Sequence, residues 1–238
     1  MNTLLVDDER LARQELRRLL ADHADITIVG EAVNADDAVT RLEDSSIDLV
    51  FLDIQMPGGS GFDVLERLER VPLVVFTTAF DEYAVPAFEV NAFDDLMKPV
   101  RPERLASVLD RTRTALTRAR DTRPERPPLS TGRVFLRDGE RCWIVLWTDI
   151  VLFEVEGNYA HAYFGSNRPL IRASLNALEA KLDPALFFRA SRQDIVNLRF
   201  IESVETAPDD TYIIHVKNGS EVPVSRRQSR QLRESLGL

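Results

Sequence analysis

Residues 49–63 read LVFLDIQMPGGSGFD. Four apolar residues, Leu49 to Leu52, run into a single carboxylate at Asp53, and a Met-Pro-Gly-Gly turn follows from Met56. A short, unbroken apolar run is what a strand covered on both faces requires, as in parallel sheets flanked by helices. Proline and two glycines then stop it, leaving the carboxylate at the strand's C-terminal edge. That edge is where open α/β sheets bind their ligands. Aspartate is also a good turn former, and on this stretch alone a plain turn residue explains Asp53 equally well.

The flanking sequence repeats the pattern. Thr3 to Val6 is an apolar run ending in Asp7-Asp8-Glu9, followed by a helical period through Ala12, Leu16, Leu19 and Leu20. Ile26 to Ala32 reads as a second strand, and Asn34 as the N-cap of a helix through Ala38 and Leu42. A helix through Phe62, Val64, Leu65 and Leu68 follows the opening stretch. Leu73 to Phe76 is a fourth strand ending in Thr77-Thr78, residues 82–90 form a helix disturbed by Pro86, and Asp94 to Met97 is a fifth strand closed by Lys98-Pro99. Pro102 opens a last helix at the first-turn position that proline tolerates. Five β–α units in succession predict an α/β fold, a doubly wound five-stranded parallel sheet with helices on both faces.

Composition sets limits on the rest. The single cysteine, Cys142, excludes an internal disulfide or a Cys-based metal site, and His23, His161 and His215 have no ligand spacing. No apolar run approaches the ~20 residues of a membrane span. The N-terminus lacks a basic segment followed by an apolar one, so a cytoplasmic setting without a membrane partner is expected. The net charge of −9 is uneven: residues 1–110 hold 23 acidic and 10 basic side chains, and residues 130–238 hold 14 of each. Between them, residues 111–129 hold six arginines against Asp121 and Glu125. An acidic domain over 1–118, an Arg/Pro-rich linker over 119–132 and a neutral domain over 133–238 are expected. Any nucleic-acid contact by the last part has to come from clustered arginines rather than from bulk charge.

Asp7, Asp8, Asp53, Thr78 and Lys98 all fall at ends of the first, third, fourth and fifth strands. In a doubly wound sheet those ends converge on one cleft. Three carboxylates there raise one another's pKa unless a cation sits among them. A hard divalent ion with oxygen ligands, most naturally Mg²⁺, meets that need. A hydroxyl and an ammonium complete a pocket for a phosphoryl group, with Asp53 as the nucleophile.

The motifs VDDE (6–9), LDIQMPGGSGFDVL (52–65), FTTAFDEYAVPAFEVNAFD (76–94) and LMKP (96–99) resemble the receiver domain of two-component response regulators. The resemblance implies that a sensor histidine kinase phosphorylates Asp53. It implies further that Asp8, Asp53 and the Gln55 carbonyl hold Mg²⁺ directly and Asp7 through water, while Thr78 and Lys98 bind the phosphate. One position departs from the pattern. Three residues before the lysine, receivers carry Tyr or Phe, which swings inward as the threonine moves; here that residue is Asp95. A carboxylate is not buried beside a phosphate without a large electrostatic cost. Coupling from Asp53 to the output surface is therefore expected to be altered, through Phe93 or the fourth-helix face, unless Asp95 simply stays exposed.

From Arg133 the apolar period changes to two. Strand patterns run through 134–137, 141–147, 150–155, 159–164 and 169–172, then 188–191, 195–198, 201–206, 212–216 and 222–224. Leu175 to Leu182 reads as one short helix and Arg226 to Leu236 as another. Asp138-Gly139, Gly157-Asn158 and Asp209-Asp210 are turn signals. This mostly β half has no nucleophile–base pair, metal spacing or Gly-rich phosphate loop. Its notable chemistry is arginine at strand ends and turns, which suits phosphates and guanine edges; a solvated, charge-balanced face is the plainer reading.

VLFEVEGNYAHAYF (151–164), FFRASRQDIVNLRFIESV (187–204) and VPVSRRQSRQL (222–232) resemble the LytTR DNA-binding domain. The resemblance implies a β fold whose loops, with the chain before the final helix, enter successive major grooves of double-stranded DNA. Contacts would fall near Asn158, Tyr159 and His161, at Arg189, Arg192 and Gln193, and at Ser225, Arg226 and Arg227. Where that family shows Arg-x-His-Arg-Ser-(Tyr/Phe), this chain has Arg189-Ala190-Ser191-Arg192-Gln193-Asp194. The base preference of that loop is expected to differ accordingly.

These readings together describe a transcriptional regulator rather than an enzyme. Its phosphorylated receiver would pair as a homodimer through the face of its fourth helix, fifth strand and fifth helix, placing two linked domains on tandem DNA sites. A receiver controlling a protein-interaction module is the alternative, and DNA retardation absent even at low salt would favour it. A phosphotransfer enzyme would need a general acid two residues after Asp53, where Gln55 stands.

Overall fold

The computed structural model describes residues 1–43, 46–79, 94–121, 132–139, 141–157 and 159–236, apart from the side chains of 118–121 and 235–236. The described residues divide into two compact units, the first comprising residues up to 121 together with Gly132–Val145, the second running from Leu146.

The first unit contains β1 (Asn2–Val6), α1 (Arg10–Leu20), β2 (Thr27–Ala32), α2 (Ala35–Leu42), β3 (Leu49–Asp53), α3 (Gly61–Glu66), β4 (Leu73–Thr78), β5 (Asp94–Met97) and α4 (Pro102–Asp121). The five strands are all parallel, in the order β2-β1-β3-β4-β5. This is the expected doubly wound sheet. β3 and β4 are buried along their whole length, because each face has its own helical cover. Alternation sorts the side chains: Leu4, Val6, Val50, Leu52, Val74 and Phe76 pack with Val39, Leu42, Val64 and Leu65 of α2 and α3. Leu5, Leu49, Phe51, Leu73 and Val75 pack on the other side with Leu16, Leu20, Leu105, Val108 and Leu109 of α1 and α4. Each such side chain contributes roughly 1.5–3 kcal/mol on burial.

The helix starts are local chemistry. Asn34 Oδ1 accepts from the Asp37 N–H at 2.9 Å, as its position predicts. Ser60 and Asp63 form a reciprocal capping box at the start of α3. The expected helix over 82–90, and Phe93, lie outside the described residues. α4 runs three residues beyond the expected boundary at 118, because Arg118, Ala119 and Arg120 favour helix and the first proline comes only at Pro124.

A second difference concerns residues 133–145, assigned by their period to the second domain. They form the antiparallel hairpin of β6 (Arg133–Asp138) and β7 (Arg141–Leu146), and they build into the first unit. Phe135, Cys142 and Ile144 share a core with Val64, Leu65 and Phe76. The Val71 N–H donates to Arg133 O at 3.1 Å. A lone hairpin is marginal in water, and alternation identifies its strands without saying what covers them.

The second unit is mostly β, as expected. One sheet has the order β10-β9-β8-β12-β11, from β8 (Leu152–Glu156), β9 (Tyr159–Tyr163), β10 (Leu170–Ile171), β11 (Phe187–Arg189) and β12 (Asp194–Asn197). A second sheet joins β13 (Ile201–Thr206), β14 (Tyr212–Val216) and β15 (Glu221–Val224) in sequence order. Two helices complete it, α5 (Leu175–Lys181) and α6 (Arg226–Leu236). Asp210 adopts a positive φ of 61°, as the Asp-Asp turn signal requires.

Candidate functional site

Parallel register brings the acids together. β1 ends before Asp7, β3 ends on Asp53, β4 on Thr78 and β5 before Lys98, all at one edge. Asp53 lies opposite Thr77, and Thr78 opposite Met97. Lys98 Nζ sits 2.8 Å from Asp7 Oδ2 and 2.9 Å from Asp53 Oδ2. Carboxylate oxygens of Asp7, Asp8 and Asp53 lie within 4.8 Å of one another. Asp7, Asp53 and Thr78 are buried, while Asp8 and Gln55 are exposed. The Gln55 N–H donates to Asp53 Oδ1 at 3.2 Å and the Glu9 N–H to Asp7 Oδ1 at 2.9 Å.

Arg13 belongs to this site although its motif position gave no sign of it. Its Nη1 donates to the Asp7 carbonyl at 2.7 Å, and its Nε to Glu31 Oε2 at 2.9 Å. It thus fixes the loop that carries two of the three acids. The available signal was Arg13 and Arg17 one turn apart on α1, both meeting Glu31; it becomes readable only once β2 is known to lie beside β1.

Burial pushes the Asp7 carboxyl above its usual range, against the pull of Lys98 and the Glu9 N–H, and the charge on Asp53 adds to the rise. Burial alone would lower Lys98, but its hydrogen bonds and charge contacts with Asp7 and Asp53 prevail and raise it. Lys98 thus pairs with two of the three clustered carboxylates, Asp7 and Asp53, and the three acids make an all-oxygen donor set that fits a hard divalent cation such as Mg²⁺. Because Asp7 is raised, the fold favours its neutral form. That contribution is full below about pH 4 and is lost as pH rises through the raised value. Ionised Asp7 accordingly costs stability at neutral pH. Asp7→Asn should raise the Tm of the metal-free protein by roughly 2–4 °C, the equivalent of about 1 kcal/mol, with the gain vanishing in acid. The same variant should respond less to added MgCl₂ in thermal denaturation.

Asp95 faces outward, its side chain 52% exposed and 3.3 Å from Arg104 Nη2. Its neighbour Asp94 is held by Arg104 at 2.9 Å and Arg111 at 2.5 Å. This is the exposed arrangement, with the carboxylate paired on α4 instead of turned toward the cleft.

In the second unit, the segments expected at DNA meet at one end. The Val155 N–H donates to Gln193 O at 2.7 Å, and the Ser225 N–H to Ala190 O at 2.9 Å. Those two bonds join the end of β8, the loop between β11 and β12, and the chain entering α6. Tyr159, Arg192, Gln193, Arg226 and Arg227 are exposed there, and Ser225 is half-buried. Asn158 lies outside the described residues. His161 is half-buried on β9 opposite Glu154 and Leu170. Arg189 is tied down: Nη1 reaches Asn176 Oδ1 at 2.8 Å and Glu179 Oε2 at 2.5 Å, and Nε donates to Ser191 O at 3.2 Å. It braces the loop against α5.

The departures in that loop have a structural role that spacing does not reveal. Ser191 Oγ donates to Asp194 Oδ2 at 2.5 Å and accepts from the Gln193 N–H at 2.9 Å. Asp194 is buried, and burial pushes its carboxyl up while Ser191 pulls it down. Ser191 and Asp194 close the loop internally and leave Arg192 and Gln193 at its tip.

Residues 3–110 match the model of the response regulator receiver domain, and residues 140–237 that of the LytTr DNA-binding domain. The sensory transduction protein LytT of Enterococcus faecalis is 35% identical over 242 residues, covering 100% of both chains. The transcriptional regulatory protein BtsR of Salmonella typhi is 36% identical over 244 residues, again covering 100% of both. The response regulatory domain of protein mrkE from Klebsiella pneumoniae is 36% identical, covering 50% of this chain and 99% of that one, with a TM-score of 0.45. With relatives matched end to end and both domain models in order, the chain belongs to the response regulators that join a receiver to a LytTR DNA-binding domain.

Proposed function

We propose that this chain is a transcriptional regulator whose DNA binding is controlled by phosphorylation of Asp53 by a sensor histidine kinase. The observation that carries the reading is Lys98 Nζ held between the Asp7 and Asp53 carboxylates at the sheet edge where β4 delivers Thr78. An Asp53 carboxylate oxygen attacks the phosphorus of the kinase's phosphohistidine; the O–P bond forms as the N–P bond breaks, and the imidazole leaves with the electron pair. Lys98 and the Thr78 hydroxyl then donate to phosphoryl oxygens. Asp8, Asp53 and the Gln55 carbonyl would hold Mg²⁺ directly, with Asp7 through water, and the ion would supply the positive charge that three carboxylates and a phosphoryl group lack.

Phosphate adds up to about two negative charges to a cleft already acidic. It shifts a pre-existing equilibrium toward a homodimer formed through the receiver's fourth-helix, β5 and α4 face. Two DNA-binding units then occupy tandem sites, and linkage raises their effective concentration. Arg192 and Gln193 at one loop tip, with Arg226 and Arg227 beside them, offer side chains suited to guanine, adenine and phosphate.

Genome-wide footprinting of the wild type against Asp53→Ala tests this directly. Paired protected half-sites, present under kinase activation and lost in the variant, are the expected result. Equal protection in both strains overturns phosphate control, and no protection in either overturns DNA binding.

A further inference from the structure

The β6–β7 hairpin occupies a place that the phosphoacceptor chemistry and the DNA-facing end both leave unexplained. Both of its faces are buried: Phe135, Cys142 and Ile144 alternate with Val134, Leu136, Trp143 and Val145, all at 9% exposure or less. The first face is seated in the receiver's core against α3. β7 ends at Leu146, and the chain passes without a loop into the turn Trp147–Asp149 of the second unit. The hairpin and the first turn of the DNA-binding unit are thus consecutive in the chain.

α3 in turn is locked to the phosphoacceptor. The Gly61 N–H donates to Ile54 O at 2.9 Å. A Cβ on Gly61 would lie 2.4 Å from the Asp53 carbonyl oxygen, so the helix starts in direct contact with the Asp53 backbone. One turn along, Asp63 and Glu66 both face Arg137 of β6, at 3.4 and 3.1 Å from its Nη1. Between them, the Phe62 ring packs at 5.1 Å from Phe76, two residues before Thr78, and at 6.3 Å from Phe135 on the hairpin. A shift at either Asp53 or Thr78 thus arrives at the same two strands. The route through residue 95 that receivers ordinarily use meets an exposed carboxylate here.

We propose that the β6–β7 hairpin is the arm through which α3 reports the state of Asp53 to the DNA-binding unit, with Phe62–Phe135 and Arg137–Asp63/Glu66 as its contacts. This rests on the phosphorylation reading above. It makes the hairpin a two-state element whose seat on α3 differs between the phosphorylated and free forms, which is the physical requirement for coupling.

The test uses the full-length protein and a labelled duplex bearing the most strongly protected footprint. Kd is measured with and without beryllium fluoride and Mg²⁺. Wild type should tighten by roughly 10-fold, an ordinary coupling strength. Arg137→Glu, which sets a third carboxylate against Asp63 and Glu66, should reduce the change to about twofold or less while uptake of phosphate from acetyl phosphate is unaffected. Arg137→Gln provides a milder version should the reversal unfold the hairpin. The exchange Glu66→Arg with Arg137→Glu should restore the wild-type response. A full response in Arg137→Glu and Arg137→Gln overturns the proposal, as does a lost response that the exchange fails to restore. A wild type whose Kd ignores beryllium fluoride overturns the phosphorylation reading itself, and the arm with it.

Discussion

Lys98→Met is expected to lower the stability of the receiver unit by roughly 2–4 kcal/mol and to cut phosphate accumulation on Asp53 by about 10²-fold or more. The ammonium is the positive partner at hydrogen-bond distance from two buried carboxylates, at 2.8 and 2.9 Å. Methionine keeps most of the stem's packing and removes the charge together with its N–H donors. Asp7 and Asp53 then face each other uncompensated in a site that burial already makes unfavourable for ionised Asp7. The pH dependence has a definite sign. Lys98 is raised, so its stabilisation in the wild type is full below about pH 10 and is lost as pH rises through the raised value. Asp7 is raised too, so the variant's deficit shrinks as acid neutralises that carboxyl. Chemical denaturation of both proteins at neutral and acid pH should display a gap that closes on acidification; a gap independent of pH would assign the loss to packing. Added Mg²⁺ should also narrow the gap, since a cation among the acids replaces part of the missing charge.

Asn197→Leu should be as damaging to the second unit. Asn197 is fully buried, and its Nδ2 donates to Thr148 O at 3.2 Å and Ile150 O at 2.8 Å, while its Oδ1 accepts from the Arg199 N–H at 3.0 Å. One side chain thereby satisfies three backbone groups at the turns either side of the β8–β12 pair. Leucine is of similar volume and leaves all three without that partner. A cost of about 1–3 kcal/mol for each buried unsatisfied group gives a loss on the order of 3 kcal/mol, allowing for partial hydration. Scanning calorimetry should show a lowered transition for the DNA-binding unit with the receiver transition in place, and DNA affinity should fall at temperatures where that unit is partly unfolded.

Much of this was legible because the first unit is built from repeated local signals. Apolar runs of four or five residues, each ending on a polar side chain, dictate a parallel sheet, and the same runs place Asp53, Thr78 and Lys98 at one edge. Asn34 announced its own helix. What stayed hidden depends on which elements become neighbours. Arg13 serves the acidic loop because β2 brings Glu31 beside α1. Arg189 looked like one more loop arginine, yet α5 supplies Asn176 and Glu179 to hold it. Ser191 and Asp194 are unremarkable as residue types, and their brace exists because the loop folds back on itself. The hairpin is the clearest case, since a period of two reports a strand and is silent about the surface that covers it.

That hairpin also separates two kinds of boundary. The family pattern of the DNA-binding portion begins at residue 140, one residue ahead of β7, whereas cohesion changes hands after Val145. Phe135, just before the DNA-binding pattern, and Cys142 and Ile144, inside it, answer to the packing of α3 and β4. Exchanging output modules between regulators of this kind at the Arg/Pro-rich stretch would therefore transplant part of the receiver's own interior. By the packing of the described residues, the seam that keeps the hairpin with the receiver's interior lies after Val145.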